Sequence, residues 1–329
     1  MSTIIRLIKI SRGFLPKNLS AVYHLAIPVG VAIFVTACSP DPTPPSEGSQ
    51  SPQLKKVSVN GTELHYLEQG QGEPVVFVHG TVGDYRTWDV HLESFSKAYH
   101  VVSYSRRYHY PNAWPADAAS FSVQVHADDL VSFITKLDLG PVHVIGHSFG
   151  AYTALLLTRS HPELVRSLTL AEPPAFPLIT SLPEGEALLE QFGKALESVG
   201  EAFARGEEKE AVSRFINNVL GPGGFENIPE ERQSRMLQNA RELEEAVNDD
   251  SRFALRSPLT CDSLKNVDKP TLLVGGELSP EMFPMVLDVL EECLSDSQRI
   301  TVPQASHEMV FESPEFFRGK VLSFLEDQP

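Results

Sequence analysis

The sequence predicts an α/β fold, a mostly parallel sheet flanked by helices, with a block of helices inserted late in the sheet. Three observations predict it. Short continuous apolar runs recur between helical stretches, which suits parallel strands buried on both faces. One of these runs leads straight into a helix through Gly146-His147-Ser148-Phe149-Gly150. A long interval between Glu172 and Lys269 carries charged, amphipathic helical text and no convincing strand.

The elements follow in order. "KKVSVNGTELHYLEQG" (55–70) alternates apolar and polar residues and turns at Asn60-Gly61, a hairpin signal. The continuous apolar runs are "PVVFVHG" (74–80), "YHVVSYS" (99–105), "VHVIGHS" (142–148), "VRSLTLAEP" (165–173), "PTLLVGG" (270–276) and "SQRITVPQA" (297–305). Helices are expected around 123–137, 150–161, 281–293 and 314–326. "EALLEQFGKALESVGEAFA" (186–204) typifies the inserted block, which we place at about 174–265 as a cap on the sheet domain. No internal repeat is visible.

The N-terminus belongs to another physical class. Arg6, Lys9, Arg12 and Lys17 precede an apolar run from Ala21 to Ala37 that contains Pro28 and Gly30. Basic residues, an apolar core and then small residues is the order of a signal peptide, here residues 1–37. The join "VTAC" resembles a bacterial lipobox, which implies cleavage before Cys38 and lipid modification of that cysteine. An uncleaved signal anchor is the competing reading. Residues 39–53, "SPDPTPPSEGSQSPQ", hold five prolines and read as an extended tether. At the polyproline rise such a tether reaches at most about 45 Å. The expected location is therefore the bacterial cell envelope, outside the cytoplasm and held to a membrane by the lipid. The folded domain is expected to run from Leu54 to Pro329.

Composition bounds the partners. The net charge is −16, and losing the four basic residues of the leader takes it to −20. Such a chain is a poor fit to nucleic acid, whose phosphates demand Lys and Arg. Cys261 and Cys293 remain beyond the leader, and whether they pair is left open, because sequence does not give their separation.

The chemistry centres on Ser148. G-x-S-x-G is common by chance, but between "VHVI" and "AYTALLL" it reads as a nucleophile elbow. There the serine stands on a tight turn above the sheet, and the two glycines avoid collision with the crossing strand and helix. A serine needs a base to remove its proton. Among the histidines, His307 in "VPQASHEMVFESPEFF" (302–317) follows the last apolar run. Among the other histidines, His147 and His79 sit inside motifs and default to structural hydrogen bonds. His109, in "YSRRYHYP", is assigned to packing ahead of lining a pocket.

With these residues in view, 54–329 resembles the α/β-hydrolase fold superfamily with a helical cap, over nearly the whole mature chain. The resemblance implies a serine hydrolase acting on small or medium carboxylic esters. "VHGT" (78–81) is similar to the family's oxyanion loop, which implies that the Thr81 and Phe149 N–H groups form the oxyanion hole. It implies His307 as base. The acid departs from the commonest pattern, since Ser279 stands in "GGELSP" where the family usually has a carboxylate. Glu172 and Glu277 are the alternatives. Glu172 is preferred, because it ends a strand at the sheet's carboxyl edge and because haloalkane dehalogenases place a glutamate at that strand. Those enzymes and epoxide hydrolases use a carboxylate nucleophile, whereas position 148 is serine.

No cofactor is expected. "SHEMVFE" lacks the second histidine of a zinc helix, and "GQG" (70–72) has no following helix to cradle phosphate. Acyl transfer, lactone opening, perhydrolysis and C–C hydrolysis remain alternatives with the same residues. A binding protein without activity is the alternative of another class.

Overall fold

Successive side chains of a strand point to opposite faces, so a strand covered on both sides needs an apolar residue at every position. β3 (Pro74–Val78) and β5 (Val142–His147) meet that condition and are buried almost throughout. The structure, a computed structural model, describes residues 53–114, 122–248 and 259–328. The leader, Cys38 and the tether up to residue 52 lie outside the described residues.

The remaining strands are β1 (Lys55–Val59), β2 (Thr62–Gln69), β4 (His100–Tyr104), β6 (Val165–Ala171), β7 (Thr271–Gly276) and β8 (Ser297–Val302). They form one sheet of eight in the order β1-β2-β4-β3-β5-β6-β7-β8. The hairpin β1-β2 and the pair β2-β4 are antiparallel, and every other pair is parallel. This is the architecture that the resemblance implies, eight strands with helices on both faces.

Each face has its own core. Val76, Val78, Val102, Val144, Leu168 and Leu170 share one cluster with Leu130, Phe133, Ala154 and Leu155. Those partners come from α2 (Val123–Lys136) and α3 (Phe149–Ser160), which follow α1 (Asp89–Phe95). The alternate residues Val75, Phe77, Val101, Ile145 and Val274 face Trp88, Phe95, Phe317 and Val321 on the opposite side. This two-residue alternation between two apolar layers is why the central parallel strands show no polar alternation in sequence.

Between β6 and β7 the chain leaves the sheet. It forms α4 (Pro183–Ala204), α5 (Glu208–Leu220), α6 (Gly224–Asn227), α7 (Glu230–Leu237), α8 (Ala240–Asn248) and α9 (Cys261–Leu264). The buried face of α4 is Leu189, Phe192, Leu196, Val199 and Phe203, the spacing of one helical stripe. It packs on Ala211, Phe215 and Val219 of α5, also buried. Gly206, at φ 73°, supplies the left-handed residue that ends α4 and turns the chain into α5. The helices α10 (Met282–Cys293), α11 (Met309–Glu312) and α12 (Pro314–Glu326) complete the fold. Cys261 and Cys293 are disulfide-bonded with Cα atoms 5.0 Å apart, tying the end of the cap to α10. Closing a loop of 32 residues stabilises by about 3–4 kcal/mol in the chain-entropy account. Among the described residues no helix is long and apolar enough to cross a membrane.

The topology also fixes where a site must lie. From β3 the chain moves to β4 on one side, and β5 then returns to the other side of β3. Strand order reverses there, and such a switch point opens a crevice at the carboxyl ends of the strands. The segments leaving β3 and β5 are His79-Gly80-Thr81 and Ser148.

Candidate active site

Ser148 sits between β5 and α3 with φ 53° and ψ −125°, a conformation costly for a residue with a side chain. The surroundings enforce it. Ser148 N–H donates to Ala171 O of β6 at 2.8 Å, and Ala151 N–H returns to Ser148 O at 2.9 Å. A Cβ on Gly146 would lie 2.6 Å from Ala151 N, and one on Gly150 would meet the carbonyl oxygens of Val78 and His79. Both glycines are thus required by close approach. The turn lifts Ser148 to a partly exposed position at the carboxyl edge of the sheet.

His307 follows β8 and is nearly fully buried. Its Nδ1 lies 2.6 Å from Glu172 Oε2. A carboxylate only accepts, so Nδ1 carries the proton and Nε2 keeps its lone pair. Glu172 is fully buried, and its other oxygen accepts from Gly276 N–H at 2.7 Å. The backbone of Glu172 is left-handed, φ 46°, held where its N–H donates to Val274 O of β7 at 3.1 Å. The Phe283 ring of α10 stacks on the imidazole at 4.0 Å between centroids. His147 Nε2–H donates to His307 O at 2.7 Å, and burial pushes its own pKa down to about 4. It is therefore a neutral tie between β5 and the histidine loop.

The alternative carboxylate lies elsewhere. Glu277 is exposed and accepts from the backbone and side-chain N–H groups of Gln304, at 2.7 and 3.0 Å. The Ser279 hydroxyl is buried without a hydrogen-bond partner among the described residues. Of the sequence candidates, the structure brings Ser148, Glu172 and His307, which follow β5, β6 and β8, to the carboxyl edge of the sheet, with Glu172 on His307, and leaves Glu277 outside.

The loop after β3 runs directly against the serine. A Cβ on Gly80 would lie 3.0 Å from Ser148 Cβ. Thr81 follows on this loop, and Phe149 opens α3, the helix end whose N–H groups and dipole favour an anion. Gly80, Thr81, His147, Ser148 and His307 line one cavity of about 70 Å³ beneath the cap. Ligand pockets for drug-sized molecules are typically several hundred Å³. The cap side supplies Phe215, Ile216, Val219 and Met236, and the rim carries Arg86, Arg232 and Arg235. Each arginine is paired, with Asp84, Glu308 and Asp89 respectively. His109 does not line the cavity but is buried against Arg106 and Glu242.

Sequence patterns missed the second circle of residues. Arg106, Glu242, Phe283 and Arg232 carry no motif, and their partners are distant in the chain. Arg106 stands in "YSRRYHYP" and Glu242 in "NARELEEAV", polar and charged text in which nothing marks either as buried. Among the described residues no group of three or more His, Cys, Asp or Glu converges to hold a metal ion.

Comparison with known proteins bears on the family and the fold. The family model described as "alpha/beta hydrolase fold" matches residues 73–314. (E)-2-((N-methylformamido)methylene)succinate hydrolase of Acinetobacter baylyi is 24% identical over 273 residues, covering 82% of this chain and 97% of that protein. 2-(acetamidomethylene)succinate hydrolase of Mesorhizobium japonicum is 23% identical over 279 residues, covering 83% and 95%. Among solved structures, a thermophilic esterase from Thermogutta terrifontis superposes with a TM-score of 0.66 at 23% identity. The match covers 83% of this chain and 98% of that one.

Proposed function

The chain belongs to the α/β-hydrolase fold family, an enzyme family, and from that premise we propose that it is a serine hydrolase cleaving small or medium carboxylic esters. The observation that carries the reading is that His307, paired from behind with buried Glu172, lines the same cavity as Ser148 on its strained turn. Ser148 Oγ attacks the ester carbonyl as His307 Nε2 takes its proton. The oxyanion forms against the N–H groups of Thr81 and Phe149. His307 returns the proton to the leaving alkoxide, and the alcohol departs. Water then repeats the sequence with His307 as base, releasing the acid and freeing Ser148. Glu172 keeps Nδ1 protonated and balances the imidazolium.

The small volume of the cavity supports short acyl groups. A panel of chromogenic esters of rising chain length, on the native chain and on Ser148→Ala, tests the reading. Turnover of short esters that vanishes in Ser148→Ala is the expected result. A folded protein inert to the whole panel would favour a binding role.

A second reading concerns charge. The two curated relatives are named for succinate derivatives, and a substrate that itself carries a carboxylate would reach Arg86, Arg232 and Arg235 by competing with Asp84, Glu308 and Asp89 for them. A hemisuccinate ester turned over faster than a neutral ester of equal length would support it.

We also propose that the protein is exported and lipid-anchored through Cys38. Support comes from the "VTAC" join and the proline-rich tether. The Cys261–Cys293 disulfide adds to it, being a bond that persists in oxidising compartments.

A further inference from the structure

We propose that Glu242, carried by the cap helix α8, is a positioning residue for the oxyanion hole and acts through Arg106. The inference rests on the serine-hydrolase reading above. Arg106 follows β4 and is buried with its side chain fully out of water. Its guanidinium grips the oxyanion loop from behind. Nε–H donates to His79 O at 3.0 Å, and Nη2–H donates to Gly80 O at 3.1 Å. His79 Nδ1–H donates to the same Gly80 oxygen at 2.8 Å. That oxygen belongs to the peptide unit whose N–H is Thr81's. The unit is planar and trans, so holding its C=O aims its N–H the opposite way. The same guanidinium lies 4.7 Å over the Phe149 ring, on the residue that supplies the other donor.

A buried guanidinium requires a countercharge. Glu242 provides it across the cap boundary, with Oε1 3.8 Å from Arg106 Nη2 and no exposure to solvent. Its second oxygen lies 3.5 Å from Val82 N and 3.4 Å from His109 Nε2. Arg106 Nη2–H in turn donates to His109 Nε2 at 3.2 Å. Val82 is a β-branched residue at φ 51°, a conformation that persists only where the surroundings hold it. One cap carboxylate therefore touches the loop itself and the group that orients it. Its contacts are long, so the effect is on alignment of the donors.

The test uses the full-length chain, a short p-nitrophenyl ester and a trifluoromethyl ketone whose serine adduct places an oxyanion in the hole. Glu242→Gln is expected to lower kcat about tenfold or more, less than losing a donor outright. KM should stay within about threefold, and affinity for the ketone should fall in parallel with kcat/KM. Glu242→Asp keeps the charge and should fall between the two. If the amide variant does not fold, the Asp variant decides alone, and reduced kcat at unchanged KM is the supporting result. A lowered melting temperature with wild-type kcat and ketone affinity would overturn the proposal. So would a rise in KM alone, or tighter ketone binding from an unpaired guanidinium acting as extra positive charge. Ser148→Ala separates the two levels, since turnover surviving it defeats the serine mechanism and not the Glu242 geometry.

Discussion

At the scale of single residues, Glu172 is the most informative side chain. The loop after β7, where the family usually keeps its acid, offers exposed Glu277 and the neutral Ser279 instead. β5, β6 and β7 are neighbours, so the end of β6 lies beside the serine turn and within reach of the loop after β8. A glutamate there meets His307 Nδ1 at 2.6 Å while Gly276 N–H holds its other oxygen. Replacing the acid of a serine protease triad by its amide costs about four powers of ten in turnover, because the wrong tautomer is held. Glu172→Gln is expected to lose activity on that order. Glu277→Gln should be mild and Ser279→Ala close to neutral in the same steady-state assay. A dead Glu277→Gln beside an active Glu172→Gln would move the acid to β7.

At the scale of elements, two buried histidines join segments that local sequence does not connect. His91 of α1 donates through Nε2–H to Val310 O of α11 at 2.9 Å, and His147 of β5 to His307 O at 2.7 Å. Burial lowers the pKa of each to about 4. An unfolded chain protonates the same histidines near pH 6.5. Below that pH the unfolded state therefore binds more protons, and stability falls as pH drops. The contribution is complete above pH 6.5 and declines toward pH 4, by on the order of 3 kcal/mol for each group. Urea midpoints should fall across this window, and His91→Gln should flatten the decline. An unchanged slope in that variant would remove His91 from the account.

The helices α2, α3, α10 and α12 were legible because each carries its own periodicity, the parallel strands because they are short apolar runs, and the serine turn because its glycines sit at fixed offsets. The contacts between elements were not. Arg106 and Glu242 are 136 positions apart, and only the folded cap brings them together. Phe283 reads as one more apolar residue of a buried helix until its ring is seen stacked on His307.

At the scale of the whole molecule, a signal-like leader and a tether precede the hydrolase domain in sequence, and the cap supplies one wall of its cavity. The lipid-anchor proposal predicts that the chain fractionates with membranes and that Cys38→Ser releases it. Mass spectrometry of the mature N-terminus checks this directly. A chain that retains residues 1–37 would indicate a signal anchor in place of the lipid.

The central claim is that Ser148 is the nucleophile. Its turn is strained, its glycines leave no room for a side chain, and His307 shares its cavity. The most direct measurement is exposure of the folded, full-length chain to a fluorophosphonate, followed by peptide mapping of the adduct. The account predicts a single phosphonyl adduct on Ser148 that is absent from Ser148→Ala and slowed in Glu172→Gln. A folded chain that takes no label, or one labelled equally after Ser148→Ala, would contradict it.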